Sequence, residues 1–294
     1  MFRTILISLC TGLQIYVFWR AASVPLVRRH IPRRYLIASW IVLWAALLLS
    51  WTLRHSSEGI GAMVLEAFGM HWMALLFLCS VALIAVDLLT GFGFLLPGQS
   101  PTLRGWALTA GLLLSLFALI QGLRPPVVQS HDVHLQNLPA EMEGRVIVAL
   151  SDLHLGSTIG ERWLAARVSQ VMEQRPDLVV LLGDIFEGRG RPERAFLPVL
   201  RGLSAPLGLW AVLGNHEFHG GLAGKVAALD EAGFQVLRNR WTEVRPGFIL
   251  AGVDDLTSLR RAGRSDDIVA QALAGRPAGA TILLSHTPWQ TERA

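Results

Sequence analysis

Four short segments of the chain end in side chains that can hold a cation or move a proton. Residues 146–150, an apolar run, lead through Ser151 to Asp152 and His154. Residues 178–182 lead to Gly183 and Asp184, and residues 209–213 to Gly214, Asn215, His216 and Glu217. Residues 281–284 lead through Ser285 to His286. Oxygen and imidazole donors converging in one place suggest a metal site.

The elements that carry these residues follow from the same stretches. Each is an apolar, β-branched run of strand length, so each reads as a buried strand ending in a polar loop. Set side by side, the four strands would gather their tips at one edge of a sheet, where open α/β sheets hold their ligands. Between them, residues 161–174, 193–203, 222–232 and 266–274 have helical character, with Pro198 inside the second. Residues 234–237, 241–244 and 248–253 read as further short strands. Strands alternating with helices predict a layered α/β domain.

Composition makes the first half different. The chain has 294 residues, of which 52% are hydrophobic and only 16% charged. Its mean hydropathy is +0.44, and soluble domains carry about 25% charged residues, so part of this chain belongs in lipid. Residues 4–22, 35–53, 70–96 and 103–123 are apolar runs close to the ~20 residues needed to cross a bilayer. Trp19, Trp40, Trp51, Trp72 and Trp106 lie toward their ends, as interfacial aromatics do. A membrane region over residues 1–124 and an α/β domain over residues 125–294 are therefore expected.

Charge sets the expected orientation. Arg20, Arg28, Arg29, Arg33 and Arg34 cluster in one short loop, which the positive-inside rule assigns to the cytoplasm. Three later crossings then put the α/β domain outside the cytoplasm. The net charge is +4 and Lys225 is the only lysine; because the arginines are dispersed or lie between apolar runs, no nucleic-acid partner is expected. Cys10 and Cys79 both sit inside apolar runs, which predicts small buried residues and no disulfide framework.

Several polar residues have two readings. Asp87 falls inside the third apolar run, where a carboxylate is either a functional group or a helix-packing contact. Residues 127–135 alternate apolar and polar and predict an edge strand, with His131 and His134 on a solvated face. His219, beside Gly220 and Gly221, either flanks an entrance or is a surface residue. Asp254 is read as a turn residue near the site.

The ordered set Asp152-x-His154, Gly183-Asp184, Gly214-Asn215-His216-Glu217 and His286 resembles the calcineurin-like metallophosphoesterase superfamily over residues 146–286. Gly252-Val-Asp-Asp255 and Leu237-Arg-Asn239 resemble its membrane-associated or exported branch. The resemblance implies a four-layer α/β/β/α sandwich and two divalent cations, with manganese, iron and zinc all compatible. It implies that Asp152 and His154 bind one cation, that Asn215 and His286 bind the other, and that Asp184 bridges them. It assigns His216 to catalysis beside the metals, and it sets Glu187 where some members carry an acid that orients this histidine. The implied function is a membrane-anchored phosphohydrolase that cleaves a phosphoester or pyrophosphate bond with a metal-activated hydroxide. Its partners would be the bilayer and a phosphorylated small molecule or lipid. Superfamily members close the site with a Gly-His-x-His segment after the strand that ends at the His286 position, and the sequence up to Ala294 contains none. A C-terminally incomplete domain is therefore expected, and a catalytically inactive binding or structural relative is the alternative.

Overall fold

A computed structural model describes residues 2–53, 60–156, 159–187, 192–263 and 267–289. The chain divides into two compact units, Met1–Ser130 and His131–Ala294.

The first unit is helical: α1 (Phe2–Ala21), α2 (Pro25–His30), α3 (Arg33–Leu53), α4 (Ile60–Leu89) and α5 (Ser100–Gly122). Four of these, all but α2, are long and apolar enough to cross a membrane. Helix α4 packs against α1, α3 and α5, around Val17, Leu76, Cys79, Leu83 and Ala107. Gly111 lets α5 close on α4, since a Cβ there would meet the backbone of Cys79. Phe77, Leu113 and Val64 point outward, as side chains facing lipid do.

The third apolar run starts and stops earlier than residues 70–96, and this changes the meaning of Asp87. Helix α4 ends at Leu89, and a turn over Gly91–Gly93 follows. Asp87 therefore lies in the last turn of a helix, not deep within one. Its carboxylate is fully buried, 2.7 Å from Arg20 Nε and 2.9 Å from Arg104 Nε. It also accepts the Tyr16 hydroxyl at 2.7 Å. Arg20 belongs to α1 rather than to the connecting loop, and its guanidinium lies over the Trp19 ring. Both oxygens of Asp87 are thus engaged in tying three helices together, which is the packing role. Asp87→Asn leaves two buried guanidinium groups without their counter-charge, and removing one partner of a buried ion pair costs about 3–5 kcal/mol. A lower thermal-unfolding midpoint of the helical unit in detergent is the expected result. An unchanged midpoint would show the pair to be dispensable.

Residues 127–135 form no strand. Pro125 and Pro126 precede them, and Val127 and Val133 are exposed. His131 and His134 are exposed.

The second unit has two sheets. In the first, β1 (Ile147–Leu150), β2 (Leu178–Leu182), β3 (Leu209–Val212) and β4 (Phe234–Val236) are parallel and adjacent in that order. In the second, β5 (Arg240–Arg245) pairs antiparallel with β6 (Phe248–Gly252), which pairs parallel with β7 (Ala280–Leu284). The period-two alternation of strand side chains builds the layers. Val179, Leu181 and Ala211 face α6 (Glu161–Glu173), α7 (Leu197–Leu200) and α8 (Leu222–Glu231), meeting Leu164, Leu200 and Leu229. Leu178, Val180, Trp210 and Val212 face the other way, onto Phe248, Leu250, Ala280 and Leu284 of the second sheet. That sheet's outer face is covered by α9 (Leu256–Arg261) and α10 (Ile268–Leu273) through Leu256, Leu259, Ile268 and Val269. The result is an α/β/β/α sandwich, and each of its buried Val, Leu and Ile side chains contributes about 1.5–3 kcal/mol.

The strand ending at His286 does not lie beside the other three site-bearing strands. Short β4 takes the place next to β3, reached through α8. The β5–β6 hairpin then carries the chain into the second layer, where β7 joins β6. The expected helix over 193–203 is a 3₁₀ turn, Glu193–Phe196, followed by the single turn α7. Pro198 opens that turn, where its missing N–H costs nothing. Helix α9 was not expected; Asp255 caps it by accepting Ser258 N–H at 2.7 Å. Asp267 likewise caps α10, accepting Ala270 N–H at 3.1 Å. Asp266, the first residue of the helix expected there, lies outside the described residues.

Candidate metal centre

The tips of β1, β2, β3 and β7 meet where the two sheets stack. Parallel neighbours bring the first three together at their C-terminal ends, and the ladder continues past the strands. Asp152 N–H donates to Gly183 O at 3.1 Å, His154 N–H to Asp184 O at 3.0 Å and Leu155 N–H to Ile185 O at 2.8 Å. From the second sheet, His286 Nδ1 lies 2.9 Å from Leu182 O. This contact fastens β7 to the end of β2.

Close approach explains the glycines. Gly183 has φ 94°, and a Cβ there would strike the backbone of Gly214. A Cβ on Gly214 would strike the Asp184 carboxylate. Strain is concentrated here as well. Asp152 (φ 56°), His154 (φ 45°) and Asp184 (φ 53°) all adopt left-handed backbone, a conformation that costs about 1–3 kcal/mol per residue and persists where surrounding structure enforces it, commonly at functional sites.

Donor atoms converge on Asp184, which is nearly buried. His286 Nε2 lies 3.5 Å from Asp184 Oδ2, His154 Nε2 3.8 Å and His216 Nε2 3.9 Å. These separations exceed hydrogen-bond length, so the imidazole nitrogens are near the carboxylate without being bonded to it. The opposite ring nitrogens face acceptors. His286 Nδ1 faces Leu182 O, His154 Nδ1 is 3.0 Å from Glu187 Oε1, and His216 Nδ1 is 3.4 Å from Glu187 Oε2. The His154 contact is short but lacks hydrogen-bond angles. A histidine that gives its Nδ1 proton to an acceptor holds a lone pair at Nε2, the form in which it ligates metal. Two groups have ligand atoms that all lie within 4.8 Å of one another: His154, Asp184 and His216, and Asp152, Asp184 and His286. Asp184 belongs to both. The donor set therefore fits divalent metal, and the histidines divide differently from the resemblance, with His216 grouped alongside His154.

The remaining expected residues fall as follows. Asn215 is half-buried in the turn between Gly214 and His216, and its carbonyl accepts Phe218 N–H at 3.2 Å. Glu187 sits between His154 and His216, within reach of both. His219 is exposed, with its ring edge-on to His216 at 5.8 Å between centroids. Asp254 is buried in a bidentate pair with Arg238, at 2.9 and 2.8 Å. It thereby ties the Arg238–Asn239 turn to the end of β6.

Two residues matter more than the sequence suggested. Glu217 is fully buried and accepts four backbone N–H groups: Asp184 (2.8 Å), Ile185 (2.9 Å), Phe186 (3.1 Å) and Gly214 (2.8 Å). It joins the loop after β2 to the loop after β3. Lys225, fully buried on α8, donates to His216 O at 2.6 Å. Burial pushes its pKa below the usual lysine range, while Glu217 and more distant carboxylates act in the other direction. The sequence signals were faint: a carboxylate directly after a catalytic-type histidine, and a single lysine in an arginine-rich chain.

Two stacked sheets thus carry an Asp/His cluster at their common edge. The family model for calcineurin-like phosphoesterase matches residues 145–294, and the chain belongs to that family. It is 33% identical over 198 residues to the "Transmembrane protein with metallophosphoesterase domain" of Danio rerio, covering 64% of this chain and 45% of that protein. It is 32% identical over 195 residues to the Bos taurus protein of the same name, covering 62% and 44%. An Aquifex aeolicus metallophosphoesterase is 36% identical over 129 residues, covering 44% and 49%. The chain thus spans about half the length of these relatives, or less. No solved structure matches it. Four membrane-length apolar helices, together with relatives named as transmembrane proteins, make this a membrane protein.

Proposed function

We propose that the chain is a membrane-anchored phosphohydrolase that uses a pair of divalent cations to cleave a phosphoester or pyrophosphate bond. The observation that carries this reading is Asp184, whose carboxylate is common to both groups of ligand atoms. Asp152, His154, Asn215 and His286 would complete the metal-binding set, with His216 beside it. When bound, such cations lower the pKa of a water and stabilise charge on phosphoryl oxygens. The protein's own part is to hold three imidazoles with Nε2 inward, to place carboxylates between them, and to keep a proton donor at hand. His216, about a third exposed and left out of the ligand set, is the candidate for that donor role.

Glu187 would orient this histidine. It touches the Nδ1 atoms of both His154 and His216, and losing such an orienting contact typically costs about 10–100-fold. Glu187→Gln is therefore expected to lower kcat by that amount while metal content stays at the wild-type level. Unchanged turnover would remove Glu187 from this role.

Arg28 and Arg29 on α2, with Arg33 and Arg34 at the start of α3, support a cytoplasmic position for the connection from α1. Three further crossings would put the hydrolase unit outside the cytoplasm. A substrate on a lipid or cell-envelope molecule would follow from that tethering. The test is metal analysis of the purified chain combined with hydrolysis of bis(p-nitrophenyl) phosphate under added manganese, iron or zinc. Near-stoichiometric metal with metal-dependent turnover supports the reading. A chain that binds no metal and hydrolyses nothing favours the inactive, binding-protein alternative.

A further inference from the structure

His216 has its backbone fastened on both sides. Its N–H donates to Asp184 Oδ1 at 2.8 Å, and its carbonyl accepts the Lys225 ammonium at 2.6 Å. These bonds hold the two successive peptide planes that flank the His216 Cα. With both planes held, the backbone dihedrals of His216 are set, and the direction of its Cα–Cβ bond with them. Only the two side-chain torsions remain, and Glu187 reaches the ring at 3.4 Å.

A buried lysine is a costly way to make one hydrogen bond. Taking an ammonium out of water is unfavourable unless nearby negative charge offsets it. Here the fields of Glu217, Glu193, Glu187 and Asp184 act on Lys225. Glu217, itself fully buried, accepts only backbone N–H groups among its described hydrogen bonds and needs a counter-charge. Lys225 meets both demands from α8, nine positions beyond His216, while it stays out of the cluster of ligand atoms.

We propose that Lys225 is a positioning residue for His216: its buried ammonium fixes the Asn215–His219 turn from behind and so sets the aim of the imidazole at the phosphoryl site. This rests on the phosphohydrolase reading only for its kinetic consequence; the clamp itself is a property of the folded chain.

The experiment uses the full chain in detergent micelles, comparing wild type with Lys225→Met and Lys225→Arg. Misplacing a reacting group by about 1 Å costs about 10²-fold, so Lys225→Met should lose that much in kcat with manganese and bis(p-nitrophenyl) phosphate. Its KM and manganese stoichiometry should stay unchanged. Lys225→Arg, which keeps charge and donors, should recover at least part of the rate. Hydrogen–deuterium exchange on the metal-free proteins gives an answer that does not depend on activity. Losing a hydrogen bond to a charged group should speed exchange in residues 215–219 of Lys225→Met about tenfold or more, with β2 and β3 protected as before. Unchanged exchange in that turn overturns the proposal. So does a kcat loss that Lys225→Arg does not relieve although it folds, or a loss that only tracks global unfolding. Wild-type chain without turnover would sink the phosphohydrolase reading, and the exchange comparison would still decide for or against the clamp.

Discussion

Asp184→Asn is expected to remove metal-dependent turnover almost entirely, by on the order of 10³-fold, because a Lewis-acid centre contributes several kcal/mol to such reactions. The side chain does two things at once. Oδ1 accepts the His216 N–H at 2.8 Å, while Oδ2 faces Nε2 of His154, His216 and His286. An asparagine keeps one oxygen and gains an NH₂ group. If the oxygen stays on His216 N–H, the NH₂ donor points at three imidazole nitrogens and the charge common to both ligand groups is lost. If the amide flips, a donor confronts the His216 N–H and the turn is displaced. In either orientation bound metal should fall below wild type in elemental analysis, together with the rate. The fold should survive, since Asp184 N–H and C=O keep their partners Glu217 and His154. A variant that retains both metal and turnover would remove Asp184 from the centre.

Glu217→Gln is expected to lower the stability of the α/β unit strongly. Oε2 takes the N–H groups of Asp184 and Gly214, and Oε1 takes those of Ile185 and Phe186. A glutamine can serve one of these pairs with its carbonyl, but its NH₂ must then face the other pair, donor against donor. Buried unsatisfied donors cost about 1–3 kcal/mol each, and loss of a buried charge interaction costs on a similar scale. A total of about 3–5 kcal/mol is a large share of the 5–15 kcal/mol that holds a typical domain together. Denaturant or thermal unfolding of the full chain should show the α/β unit melting earlier. Metal affinity should weaken too, since the same carboxylate keeps the Asp184 loop against the His216 loop. An unfolding midpoint equal to wild type would show that water or a shifted backbone replaces the lost acceptor.

Much of this is legible in the sequence, for local reasons. A strand declares itself through its own run of β-branched residues, and the polar residue that ends it is its neighbour in sequence. The apolar runs 146–150, 178–182, 209–213 and 281–284 therefore fall on strands 147–150, 178–182, 209–212 and 280–284, with Asp152, Asp184, His216 and His286 just beyond their ends. The apolar length of α1, α3 and α5 was equally local. The end of α4 was not: the apolar run continues past Leu89, but Gly91 and Gly93 turn the backbone there, both with positive φ.

Layering depended on contacts between distant residues. Nothing within residues 280–286 says whether β7 lies beside β3 or across from it. That choice was made by β4, which fills the free edge of β3, and by β6, which offers β7 a parallel partner in the second sheet. His286 consequently reaches Asp184 from the opposite layer. Asp87 is similar: the sequence could say that it was a carboxylate among apolar residues, but only the packing of α1 and α5 against α4 brought Arg20 and Arg104 to it. Glu217 and Lys225 depended most on tertiary structure, because burial and hydrogen-bond partners decide the role of a charged side chain and neither is written in its neighbours. The sequence alone determined which residues could do chemistry and which strands end at them. The tertiary structure decided which sheet each strand joins, how the histidines group around Asp184, and which buried charges hold them there.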